Sequence, residues 1–153
     1  MSTRACYTFT DESGDIHVYK HHDGYPFTGG VHNGQQYEGG GLVWINNAKP
    51  WAWELPRFEA DEFAAAFVAA NKEKSNGGIR LINKANPWEF SSDSEYWYKV
   101  KIAVPALDVF VQVYSVDWWS GETSIDQKFN TLIMEGALSE LIASERTKKK
   151  NAA

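Results

Sequence analysis

The sequence predicts an α+β protein: a mainly antiparallel sheet of about four or five strands carrying two longer helices. Three observations lead there. Two pairs of strand-like segments, near residues 3–22 and 96–116, are each joined by a short turn, and strands joined this way pair antiparallel. A stretch near 59–72 has apolar residues at helical spacing, and a capping-box spacing at 124–127 opens a second helix. Helices gathered on one face of a sheet built from neighbouring strands satisfy both patterns.

The elements follow in order. Residues 3–10 read as a strand, Asp11-Glu12-Ser13-Gly14-Asp15 as turn chemistry, and Ile16 to His22 as the returning strand. In one register Ala5, Tyr7 and Phe9 face Ile16, Val18 and Lys20; a three-residue bulged loop shifts the pairing by one and exchanges the faces of His17, Tyr19 and His21. Both registers bring Arg4 across from the stretch His21 to Asp23, which predicts an Arg4–Asp23 ion pair.

Gly24 to Gly41 holds Gly24, Gly29, Gly30, Gly34, Gly39, Gly40 and Gly41 out of twelve glycines, and reads as a long functional or flexible loop. Leu42-Val43-Trp44-Ile45 is too short to assign by periodicity. Pro50-Trp51-Ala52-Trp53-Glu54-Leu55-Pro56 reads as a tryptophan-bearing connector. The helix over 59–72 places Phe63, Phe67 and Ala70 on one stripe, with Glu59, Asp61 and Glu62 at its positive N-terminal end. Ile79–Ile82 is a short strand candidate. Residues 96–104 and 109–116 form a second hairpin around Pro105-Ala106-Leu107-Asp108. Ser124-Ile125-Asp126-Gln127 has capping-box spacing and predicts a last helix over 125–145, with Gly136 as its weak point.

Composition narrows the function classes. At 153 residues, with 43% apolar and 23% charged side chains, the chain suits one folded domain, placed at 1–145, with 146–153 as a disordered basic tail. Arg146, Lys148, Lys149 and Lys150 account for four of fifteen basic residues; the remainder sets eleven bases against twenty acids, which disfavours nucleic acid as a partner. A single cysteine, Cys6, excludes an internal disulfide and a multi-cysteine zinc site, and fits a reducing cytoplasm. No apolar run reaches the roughly 18 residues of a membrane span. Seven tryptophans suit a β-rich core, and some of them are expected between subunits of a homodimer.

Chemistry concentrates in Lys20-His21-His22-Asp23-Gly24-Tyr25-Pro26-Phe27-Thr28-Gly29-Gly30. His17 and His21 lie about 13 Å apart on an extended strand, too far to share an ion, so no metal site and no cofactor is expected. His21 or His22, oriented by Asp23 and with Arg4 as an anion clamp, forms the catalytic candidate set His21, His22, Asp23. The competing reading is turn chemistry: Asp23 caps, Gly24 takes positive φ and Pro26 fixes the exit. The glycine run lacks the Lys and hydroxyl pair of a P-loop.

Thr3-Arg4 near the start, then a hairpin, then His21-His22-Asp23-Gly24-Tyr25-Pro26 and glycines resembles a group of small phage and prophage proteins. That resemblance covers about the first 30 residues, with His22 where the group commonly has an aromatic. It implies a phage origin and carries across no reaction and no catalytic residue. The combined expectation is a non-enzymatic cytoplasmic binding protein acting on a small molecule or on a host or phage protein. Its ligand site is drawn over Arg4, His21, His22, Asp23, Tyr25, Gly29, Gly30, Trp51 and Trp53. The alternative is a small hydrolase acting on a phosphate-containing substrate through a His/Asp/Arg site.

Overall fold

Glu12 and Ser13 turn the chain between β1 (Ala5–Asp11) and β2 (Gly14–Lys20), with the Ser13 amide donating to the Asp11 carboxylate at 2.7 Å. The pairing is Ala5↔Lys20, Tyr7↔Val18 and Phe9↔Ile16, the first of the two registers considered. This computed structural model describes residues 3–72, 78–85, 87, 94–116 and 131–152. After the hairpin come β3 (Thr28–His32), β4 (Gln35–Gly39), α1 (Gly41–Ala48), a 3-10 turn (Lys49–Trp51) and α2 (Ala60–Asn71). Then follow β5 (Ile79–Ile82), β6 (Tyr96–Ala103), β7 (Asp108–Ser115), β8 (Thr131–Ala137) and α3 (Leu138–Ala152).

The class is α+β, but the sheet is mixed and larger than expected. Six strands run in the order β5-β2-β1-β6-β7-β8, and β3 pairs with β4 in a separate two-stranded sheet. All neighbours are antiparallel except β1 and β6, which run parallel with Ala5 beside Tyr96 and Phe9 beside Val100. A parallel pair needs a crossover, and here the chain returns to β6 through α1 and α2. Periodicity reports which face of a strand is buried and says nothing of which strand lies beside it.

The last helix starts later than the sequence predicts, at Leu138. Residues 131–137, expected inside a helix over 125–145, pair with β7 from Phe110↔Ala137 to Ser115↔Thr131. Gly136, whose φ of 156 suits glycine, is the next-to-last residue of the strand, and the helix follows directly after Ala137. The proposed cap at 124–127 lies outside the described residues. Residues 146–152, expected as a disordered tail, are the last turns of α3.

One face of the sheet packs on the helices. Tyr7 stacks on Tyr98 with centroids 4.7 Å apart, and Phe9 meets Phe63 and Phe67 of α2 at 5.7 and 5.4 Å. Leu42 and Ile45 of α1, Leu138 and Ile142 of α3, and Val109, Val111 and Val113 of β7 complete this core. The other face carries Cys6, Thr8, His17, Tyr19 and Trp97.

Among the described residues, neither α1 nor α2 draws its N-terminal cap from an adjacent side chain. For α1, the amides of Gly41 and Leu42 donate to the carbonyls of Tyr25 and Pro26 at 2.7 and 3.1 Å. For α2, the Ala60 amide donates to Asp11 Oδ2 at 2.7 Å. For α3, the Ser139 amide and hydroxyl donate to Asp108 Oδ2 at 2.9 and 2.7 Å. The orphan donors of each first turn are satisfied by the end of a strand or by the 20–27 turn.

Candidate functional site

The turn that carries the chemistry is built into the fold at nearly every polar atom. Lys20 ends β2 almost fully buried; its Nζ donates to the His22 carbonyl at 2.8 Å and lies 4.8 Å over the Trp44 ring. Burial lowers the Lys20 pKa, opposed by the nearby Asp23 charge. Asp23 sits at φ 57, a left-handed position that Asp tolerates. Its carbonyl accepts from Trp44 Nε1 at 2.9 Å and its carboxylate accepts from the Tyr25 hydroxyl at 3.2 Å. Burial, followed by Tyr37 and Asp23, raises the Tyr25 pKa. The Gly24 amide donates to Thr3 at 2.8 Å, its carbonyl accepts from the Tyr98 hydroxyl, and a Cβ here would meet Ala5 Cβ at 2.7 Å. The turn thus fastens β1, β6 and the start of α1 together.

The expected Arg4–Asp23 pair does not form among the described residues: the chain leaves the strand after Lys20 and turns at Asp23. Arg4 and His21 belong to the face of Cys6 and Tyr19: His21 Nδ1 accepts from the Tyr19 hydroxyl at 2.8 Å and from Arg4 Nε at 3.2 Å. Two donors on one nitrogen place the ring proton on Nε2. Asp23 lies on the helix side, near Lys20, Tyr25 and Tyr7. The imidazole of His21 and the carboxylate of Asp23 are therefore not arranged as base and orienter. His22 is exposed, its ring edge-on to His21 at 4.6 Å.

Trp51 and Trp53 sit exposed on the connector between α1 and α2. Arg57 lies 3.9 Å over the Trp53 ring, and the Trp53 amide donates to Glu62 at 3.1 Å. The described contacts of Trp53 are thus with Arg57 of the same connector and Glu62 of α2, not with the 21–25 turn.

Gly29 and Gly30 lead to a different place. Asn33 (φ 52) and Gly34 (φ 78) make a two-residue left-handed turn, so β3 and β4 form a hairpin with Gly29↔Glu38 and Gly30↔Tyr37 opposed. Between this hairpin and α3 lies a cleft of about 660 Å³. The two glycines leave its floor without side chains, with the Phe27 ring 3.3 Å from where a Gly29 Cβ would stand and open space above Gly30. Phe27 and Tyr37 supply rings; Glu38, Arg146 and Lys149 supply charge. Arg146 Nε and Nη2 donate to the two Glu38 oxygens at 2.7 and 2.8 Å. The Arg146 hydrogen bond lowers the Glu38 pKa, against a small opposing effect of burial.

Sequence reasoning singled out Gly29 and Gly30 but missed Tyr37, Glu38, Arg146 and Lys149. A signal was present. Asn33-Gly34 between two short polar segments is a hairpin turn, and it alone fixes Glu38 opposite Gly29. Arg146 and Lys149, three apart, share a face of a helix.

On the far face a chain of hydrogen bonds runs from Trp97 Nε1 to Thr8 Oγ1 at 2.8 Å, from Thr8 to His17 Nδ1 at 2.8 Å, and from His17 Nε2 to the Ala85 carbonyl at 3.2 Å. Both His17 nitrogens are used in the neutral ring. Burial lowers the His17 pKa, against Asp15 and the Ala85 carbonyl. Cys6 Sγ lies buried 3.2 Å from Ser94 Oγ. Among the described residues no three His, Cys, Asp or Glu side chains converge on one point, and no helix is long and apolar enough to cross a membrane.

No family model matches this chain, and no curated protein or solved structure matches it either.

Proposed function

We propose that the chain is a non-enzymatic binding protein, of the phage type its N-terminal motif resembles, that takes an anionic small molecule in the cleft between the β3–β4 hairpin and α3. The observation that carries this is the cleft itself. Its volume of about 660 Å³ falls within the roughly 300–1,000 Å³ of small-molecule sites. It combines rings for a flat apolar body with two cations for negative charge, the usual division of labour in such pockets. The hydrolase alternative lacks comparable support, because the imidazole of His21 is held by Tyr19 and Arg4 on the face away from Asp23.

Calorimetric titration of the full chain with inorganic phosphate, citrate, AMP and adenosine tests the proposal. At least one anion should bind, adenosine should bind more weakly than AMP, and Lys149→Ala should weaken the anion about tenfold, roughly 1.4 kcal/mol. Absence of binding by all three anions at millimolar concentration, or binding that Lys149→Ala leaves unchanged, overturns it.

A further inference from the structure

We infer that Glu38 is a built-in pseudo-ligand: its carboxylate occupies, on Arg146, the place that a carboxylate or phosphate of the incoming ligand takes. This rests on the cleft being the binding site, and it names the chemistry of the ligand and the way the site holds itself when empty of one.

Three features of the cleft lead to it. The first is shape. Arg146 presents Nε and Nη2 together to both oxygens of Glu38, at 2.7 and 2.8 Å. This fork selects planar two-oxygen anions, and a carboxylate or the edge of a phosphate matches it equally well. The second is exchangeability. The Arg146 and Glu38 side chains are 57% and 35% exposed, so water and salt reach both partners. Exposed pairs of this kind contribute little net stability, and a competing anion has little to overcome. The third is surplus charge. Lys149 lies three residues further on, lines the same cleft and forms no hydrogen bond or ion pair among the described residues. An incoming anion that replaces Glu38 keeps the Arg146 fork, gains Lys149, and lays its body against Phe27 and Tyr37. Glu38 itself engages only the fork.

A plainer account exists: the pair ties α3 to the hairpin, and the lysine complements the negative end of the helix. The two accounts predict opposite signs for one substitution. If Glu38 competes for Arg146, Glu38→Gln removes the competitor and tightens binding of citrate or phosphate severalfold, on the order of three- to tenfold. If Glu38 only ties the hairpin in place, the same substitution loosens the cleft and weakens binding.

The experiment titrates citrate, inorganic phosphate and adenosine into wild type, Glu38→Gln and Arg146→Lys, and records the Arg146 Nε–H resonance in parallel. Expected results are tighter anion binding by Glu38→Gln and about tenfold weaker binding by Arg146→Lys, which keeps the charge and loses the fork. The Nε–H resonance should move on anion binding in wild type and on Glu38→Gln alone. Adenosine affinity should not change in Glu38→Gln. Anion binding that Glu38→Gln leaves equal or weaker overturns the pseudo-ligand while leaving the cleft site standing. Absence of anion binding in every variant overturns both.

Discussion

Lys49 Nζ stands 2.6 Å from Asp108 Oδ1, joining the end of α1 to the start of β7. Asp108 simultaneously accepts from the Val109 amide at 2.8 Å and from both donors of Ser139 at the start of α3. Its side chain is 7% exposed. One carboxylate therefore serves an ion pair, a strand end and a helix cap. Asp108→Ala should lower stability by about 2–4 kcal/mol, since it strands the Lys49 charge and uncaps α3 together. Lys49→Ala should cost about half of that or less. The double variant should fall short of the sum, measured by urea unfolding. Additive effects would show that the cap and the ion pair act independently.

Stability should fall on the acid side in two separable steps. His17 has a folded pKa below its ordinary 6.5, because burial opposes the charged ring. The unfolded chain binds that proton more readily, so the contribution of neutral His17 is present above pH 6.5 and is lost as pH falls toward the folded value. For Asp108, burial raises the pKa but Lys49, Ser139 and Val109 together lower it below 3.8. For Asp11, the Ala60 and Ser13 amides lower it. Both carboxylates contribute above the unfolded value and lose that contribution as pH drops through the folded one. His17→Gln should flatten the urea midpoint between about pH 7 and 5 and leave the loss below about pH 4 unchanged. A profile identical to wild type would contradict the assignment.

The glycines of the 24–41 stretch divide by neighbour. A Cβ at Gly41 would fall within the Tyr98 ring, whereas one at Gly30 meets nothing within 4 Å. Gly41→Ala should cost about 3 kcal/mol or more through overpacking, displacing the ring that donates to Gly24. Gly30→Ala should lie within about 0.5 kcal/mol of wild type. Comparable thermal midpoints for the two variants would rule this out.

Tyr7 is buried, stacked on Tyr98, and its hydroxyl has no hydrogen-bond partner among the described residues. A buried donor left unpaired costs about 1–3 kcal/mol. Tyr7→Phe keeps the ring and removes the hydroxyl, so it should leave stability unchanged or raise it by up to about 1 kcal/mol. A loss of 2 kcal/mol or more in a denaturant titration would reveal a partner for that oxygen.

The elements legible in the sequence are those that carry their own signals. The hairpins at 5–20 and 96–115 have alternation and a short turn, and α2 has Phe63 and Phe67 four apart with acids at its start. α1 carried no such signal. It begins on glycines, and its first amides are satisfied by Tyr25 and Pro26, a partnership that only tertiary contact supplies. Capping-box spacing at 124–127 predicts helix through 131–137, where pairing with Val111 and Val113 of β7 makes a strand instead. The cleft was half visible: its glycines were marked, but its cations were assigned to a frayed end. The motif His21 to Tyr25 is legible as chemistry and as turn, and its hydrogen bonds to Lys20, Trp44 and Tyr98 are not legible from spacing. What separates Arg4 from Asp23 is the turn after Lys20, where Asp23 leaves the extended conformation at φ 57, a bend that no count of residues between them discloses.

The parallel pairing of β1 with β6 bears on how the chain is made. During synthesis β1 and β2 emerge early and can pair at once, but the other edge of β1 waits for Tyr96 to Val100. Until then Ala5 to Phe9 present an open row of amides and carbonyls, with apolar side chains on one face. Nascent chains halted before β6 carry this edge uncovered, a template for pairing with another copy. The junction that completes the sheet also closes that edge, so the exposure ends only when β6 has been made.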